Sequence, residues 1–177
     1  MTMWIAFFRG INVGGRNILP MKELQELLSE LGCIDVVTYI QSGNVVFRHK
    51  GAQSSKLSKT IRQAVLDRFH FEPHVLLMSV KSLQSALQSN PFPAATENPK
   101  TLHLYFLSAI PTDVDIDGLE KLKSTSENCR LIEQVFYLHA PDGIGRSKLA
   151  ARAEKLLGVP ATGRNWRTAQ KILELAG

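Results

Sequence analysis

Residues 3 to 8, Met-Trp-Ile-Ala-Phe-Phe, form an unbroken apolar run that predicts a buried strand. From Pro20 the period changes. Met21, Leu24, Leu27, Leu28 and Leu31 recur at helical spacing, with proline at the first turn and Gly32 just past the end. Val36 to Ile40 and Asn44 to Phe47 are two short β-rich runs joined by Gln41-Ser42-Gly43, a hairpin-like turn. A second helix is predicted from about Ser55 to Phe69, with Leu57, Ile61, Ala64, Val65 and Phe69 on one face. Pro73 resets the chain, and His74 to Met78 reads as another strand. The order β-α-β-β-α-β is the split-βαβ, or ferredoxin-like, arrangement.

After a short helix at Lys81 to Gln88, the stretch from Asn90 to Pro99 carries three further prolines and Asn98, and reads as a linker. A second cycle follows. Leu102 to Leu107 is apolar, Asp115 to Lys123 is helical, and Cys129 to Ile132 and Val135 to His139 look like paired strands. Ser147 to Leu157 is a helix ended by Gly158, and a final helix from Asn165 to Ala176 stands where the second half would have its last strand. The expected fold is α+β: two ferredoxin-like (split β-α-β) halves related by a degenerate duplication, plus a C-terminal helix. The expected boundaries are residues 1–89, a Pro-rich linker at 90–100, and a second half at 101–177.

Composition changes this picture little: 177 residues, 44% apolar and 21% charged, suit an ordinary globular protein with a proper core. No apolar run approaches the roughly 18 residues a bilayer demands, so no membrane partner is expected. The start lacks a basic leader, and cytoplasmic residence is the default expectation. Cys33 and Cys129 are isolated and read as core residues in preference to a disulfide. The five histidines form no metal-spaced pair, since Pro73 separates His70 from His74; neither metal nor cofactor is expected. Nothing in the sequence sets an oligomeric state.

Charge is more informative. The net charge is +5, but between Gly143 and Lys171 seven basic residues face only Glu154, a local charge of +6. From Asp113 to Glu133 six acidic residues face three basic ones, a local charge of −3. A basic patch of this kind points to a phosphate-bearing or polyanionic partner, nucleic acid included; a solvated helix face explains it equally.

Four segments carry candidate chemistry. Arg9-Gly-Ile-Asn-Val-Gly-Gly-Arg-Asn17 holds three glycines, two arginines and two asparagines at the end of the first strand. Laid over the phosphate loop G-x-x-x-x-G-K-[ST], it has Arg16 for lysine and Asn17 for the hydroxyl, and its helix starts too late. A loop for a non-nucleotide anion remains open, beside a plain crossover in which Asn12 and Asn17 bond local backbone. In Gln41-Ser-Gly-Asn44, Ser42 has no adjoining base in sequence, and a structural turn is the simpler account.

The loop His139 to Lys148 leads into a helix whose first turn carries Ser147 and Lys148, with Arg146 beside them. It offers an anion site, or simply a Ser147 cap. His139 and Asp142 are candidates for a proton-transfer pair. In Thr162-Gly-Arg-Asn-Trp-Arg-Thr168, Arg164 and Arg167 flank Trp166 with Asn165 as a natural cap. The cluster reads as a stacking clamp or as a tryptophan anchor with both arginines in solvent.

The combination of Phe8 to Gly15, Leu19-Pro20-Met21, Tyr39 to Phe47, and Ala161-Thr162 with Arg164 to Thr168 resembles the bacterial domain-of-unknown-function 1697 family. The resemblance extends over essentially the whole chain and implies an α/β protein with ferredoxin-like halves. It implies no activity, substrate or catalytic residue. Gly163 stands where that pattern is expected to carry a bulkier polar residue.

The leading expectation is a binding protein for an anionic ligand, with Arg9, Asn12, Arg16 and Asn17 meeting Arg164, Asn165 and Arg167 across a cleft between the halves. Ser42, Asn44, Arg146, Lys148 and Trp166 complete the candidate set. The rivals are a small-molecule enzyme using His139 and Asp142, or Ser42, and a structural or oligomerisation module.

Overall fold

The computed structural model describes residues 1–51 and 53–177. Its contacts divide into two compact units, Met1–Gln84 with Lys171–Gly177, and Ser85–Gln170.

The first unit runs β1 (Thr2–Arg9), α1 (Met21–Glu30), β2 (Ile34–Tyr39), β3 (Asn44–His49), α2 (Ser54–Phe69) and β4 (His74–Ser79). Its strands pair antiparallel in the order β2-β3-β1-β4. The central place of β1 explains its unbroken apolar sequence: Ile5 and Phe7 are buried as fully as Ala6 and Phe8 on alternate positions. Trp4, Ala6 and Phe8 enter one core with Leu24 and Leu28 of α1 and Ile61 and Val65 of α2. Leu28 is wholly buried there, so Leu28→Ala is expected to cost about 2–5 kcal/mol. Proline before α1 and Gly32 after it, at φ +84°, bound the helix as its sequence predicts.

After α3 (Val80–Gln88) and a short 3-10 turn at Pro93–Glu97, the second unit repeats the order with β5 (Leu102–Leu107), α4 (Ile116–Leu122), β6 (Asn128–Ile132), β7 (Val135–His139), α5 (Lys148–Leu157) and β8 (Ala161–Asn165). Its antiparallel sheet reads β6-β7-β5-β8, so the first strand again lies between the third and the fourth. Leu119 of α4, Phe136 and Leu138 of β7, and Leu149, Ala153 and Leu157 of α5 form its core. The chain is thus a mixed α/β fold with two four-stranded antiparallel sheets and six α-helices among the described residues.

One expectation is corrected. The second unit does have its last strand, β8, and α6 (Trp166–Leu175) begins only after it. Ala161 to Asn165 shows little apolar alternation and contains a glycine, so no period of two announces it. Pairing with β5 makes it a strand, Tyr105 lying opposite Gly163 and Leu107 opposite Ala161. A side chain at Gly163 would come within 3.0 Å of the Tyr105 ring, which accounts for the small residue there.

Candidate functional site

The glycine-rich segment after β1 folds back on itself as a miniature hairpin. The Asn12 N–H donates to the Asn17 carbonyl (3.0 Å) and the Arg16 N–H to the Val13 carbonyl (3.0 Å). Gly14 and Gly15 form the tip with φ of +57° and +73°, two successive left-handed residues that favour glycine. Asn12 is the fastening. Its Nδ2 donates to the carbonyls of Leu19 and Gln41 (both 2.9 Å), and its Oδ1 accepts the Leu19 N–H at 2.8 Å. Asn17 donates to the Gly10 carbonyl at 2.7 Å.

The Tyr39 turn is fastened in the same way. Asn44, fully buried, donates to the Tyr39 carbonyl (3.0 Å) and to Ser42 Oγ (2.9 Å). The Phe8 N–H donates to the Gly43 carbonyl at 2.8 Å. The glycine-rich segment and this turn are therefore one closed structure within the first unit. Its asparagine amides serve the backbone, while Arg16 and Ser42 stay exposed and Arg9 is half-buried opposite His74.

In the second unit a groove of about 620 Å³ opens between the end of α4 and the Pro141 to Ser147 loop. Lys121, Lys123, Arg146 and Lys148 line it, against the carboxylates of Glu127 and Asp142. Ser147 caps α5, its Oγ accepting the Ala150 N–H at 2.9 Å. A neighbouring groove of about 470 Å³ shares Leu122 and Lys148 and adds Arg152 and Lys155, with Asp115. Arg152 and Lys155 follow Lys148 at four and seven residues, so one face of α5 carries all three. The Lys123 ammonium donates to Glu120 (2.6 Å), which holds its pKa above the ordinary lysine value.

Arg146 and Lys148 stand out in the basic stretch of the sequence, whereas Lys121 and Lys123 lie within an acidic one. Their spacing at the end of α4 was the available signal.

The remaining candidates have definite places. The Asp142 carboxylate accepts the Ser126 hydroxyl at 2.6 Å, and among the described residues no hydrogen bond or ion pair joins it to His139. Asn165 caps α6, accepting the Thr168 N–H at 2.8 Å, as its sequence predicts. Trp166 is buried and Arg167 exposed. The Arg164 guanidinium donates to the Gly163 carbonyl (2.8 Å), and burial pulls its pKa down to about 10. Burial also lifts the Cys33 thiol to about 11, so it stays protonated and inert at neutral pH.

Two antiparallel sheets and six α-helices among the described residues, with polar loops beyond the strand ends, define an α/β protein. The chain belongs to the family described as "Protein of unknown function (DUF1697)", whose pattern matches residues 1–137. The Ala161 to Thr168 motif lies beyond the matched residues. Among curated proteins none matches. Among solved structures, the chain is similar to the conserved bacterial protein SP0830 from Streptococcus pneumoniae, at 24% identity and a TM-score of 0.72, over 99% of both chains. That likeness speaks for the fold alone.

Proposed function

We propose that this protein binds an anionic, phosphate-bearing ligand, with nucleic acid as a candidate, through the basic groove of the second unit. The observation that carries the reading is the gathering of Lys121, Lys123, Arg146 and Lys148 around one concavity beside the start of α5. Lys123 is paired with Glu120, but Lys121, Arg146 and Lys148 still outnumber Glu127 and Asp142, and the helix start adds to the positive surface. Arg152 and Lys155 extend the positive face along α5, which suits a ligand with more than one phosphate.

Arg9, Asn12, Arg16, Asn17, Ser42 and Asn44 of the first unit, and Arg164, Asn165, Trp166 and Arg167 of the second, remain proposed ligand-binding residues, each within its own unit; the buried Asn44 and Trp166 would act by holding their segments in shape. Where their amides hold the backbone, they would act by shaping the loops. A cytoplasmic setting belongs to the same proposal. We also read residues 1–89 and 101–177 as ferredoxin-like halves of a degenerate duplication joined through residues 90–100. The shared element order and the shared strand order support it.

The test is an anisotropy titration with labelled RNA and DNA oligonucleotides, with inorganic polyphosphate as competitor. Affinity should fall steeply as salt rises. The double variant Arg146→Ala/Lys148→Ala should weaken binding about tenfold or more, with Arg167→Ala weakening it less. Binding that ignores salt, a double variant that binds like the wild type, or no binding to any of the three probes defeats the proposal.

A further inference from the structure

The closed hairpin after β1 presents apolar surface to solvent. Val13 is 70% exposed, Ile18 56% and Ile40 52%. Their backbone positions are held near one another, because Asn12 adjoins Val13 and its amide holds the carbonyls of Leu19 and Gln41, the neighbours of Ile18 and Ile40. Exposed aliphatic side chains gathered on a fastened loop mark an interaction surface. Arg9 and Arg16 give the segment two positive charges, and residues 9–20 and 38–43 contain no carboxylate.

The β5–α4 connection occupies the equivalent place in the second unit and has the opposite character. Ile110 is 62% exposed and Ile116 58%, beside Asp113, Asp115 and Asp117. Residues 108–117 contain no cation. This segment is also held firmly. The Ser108 N–H donates to the Pro160 carbonyl (2.9 Å), the Asp115 N–H to the Leu156 carbonyl (2.8 Å), and the Asp115 carboxylate accepts the Gly118 N–H at 2.8 Å.

We propose that the two surfaces recognise each other between copies: the Val13, Ile18, Ile40 and Arg16 patch of one chain docks on the Ile110 to Asp117 segment of a second. Aliphatic groups cover aliphatic groups, and Arg16 meets the aspartates. Both segments are fastened by hydrogen bonds before contact, which limits the ordering entropy that docking costs. The contact is heterologous, and every added copy leaves one hairpin and one acidic segment open. Association therefore continues into chains or closes into rings.

Sedimentation velocity on the full chain without added ligand tests this across protein concentration and salt. The wild type should associate with rising concentration and dissociate with rising salt. Arg16→Glu, and separately the double variant Asp113→Lys/Asp117→Lys, should each weaken self-association more than tenfold, because each sets like charges face to face. Both leave the caps and fastenings intact, and circular dichroism verifies the fold. Mixing the two variants restores opposite charges at every contact and should restore association. A wild type that stays monomeric, variants that associate as before, or a mixture that fails to recover overturns the proposal. So does a monomer whose Val13 and Ile40 instead bind anionic lipid vesicles.

Discussion

The β1–α1 and β5–α4 connections occupy the same place in two units of the same strand order, yet they are built differently. The first is closed by side-chain amides and by left-handed backbone at Gly10, Asn12, Gly14, Gly15 and Asn17. The second is closed by backbone bonds to α5 and Pro160 and by one aspartate cap; no residue from 108 to 117 has positive φ. The first is cationic and the second anionic. A shared topology therefore fixes where a loop leaves the sheet, while the loop's own residues fix its shape and charge.

Four measurements would break or sharpen this contrast. The largest effect is expected at Gly43, where a Cβ would lie 2.5 Å from Phe8 Cβ and 2.6 Å from Ile11 Cδ1, at φ +75°. Gly43→Val should cost about 3 kcal/mol or more in a denaturant titration, from overpacking on top of backbone strain. A cost under about 1 kcal/mol would mean that the hairpin and the Tyr39 turn are not one unit.

Asn12→Ala comes next, because it deletes three hydrogen bonds at a residue with φ +52°. The expected loss is about 2–3 kcal/mol. Asp115→Ala removes a single cap from the other connection and should cost about 1 kcal/mol. Equal costs for these two would erase the structural difference between the loops.

The smallest effect is a pH dependence in the second unit. Burial holds the pKa of His103 below the ordinary value, with the Thr101 backbone partly opposing, and its Nδ1 has no hydrogen-bond partner. The folded state thus binds its proton less readily than the unfolded chain. The stability due to neutral His103 is present in full above about pH 6.5, falls as pH drops through that value, and levels below the folded pKa. His103→Gln should flatten this part of the denaturant midpoint against pH. An unchanged slope would show that His103 does not titrate there.

Much of this fold was legible in the sequence. Helices α1 and α5 declared themselves through apolar period and terminal glycine, and Ser147 and Asn165 through their places as caps. Strand β8 was not legible, because five residues with a glycine carry no period and only pairing with β5 defines them. The groove was half legible. Arg146 and Lys148 stand out in a basic stretch, but Lys121 and Lys123 sit among acids and join them only through the packing of α4 beside the Pro141 to Ser147 loop. His139 and Asp142 are near along the chain, but the hydrogen bond that Asp142 makes is to Ser126, 16 residues away.

The sequence alone determined what local chemistry determines: the periods that make strands and helices, the glycines that end helices, the short polar side chains that cap them, and the family to which the chain belongs. Tertiary structure decided which distant segments share a surface. Asn12 closes on Gln41, 29 residues away, and Lys121 joins Arg146 around one groove. Backbone conformation depends on near neighbours, whereas such meetings depend on sheet register and helix packing, which no local pattern encodes.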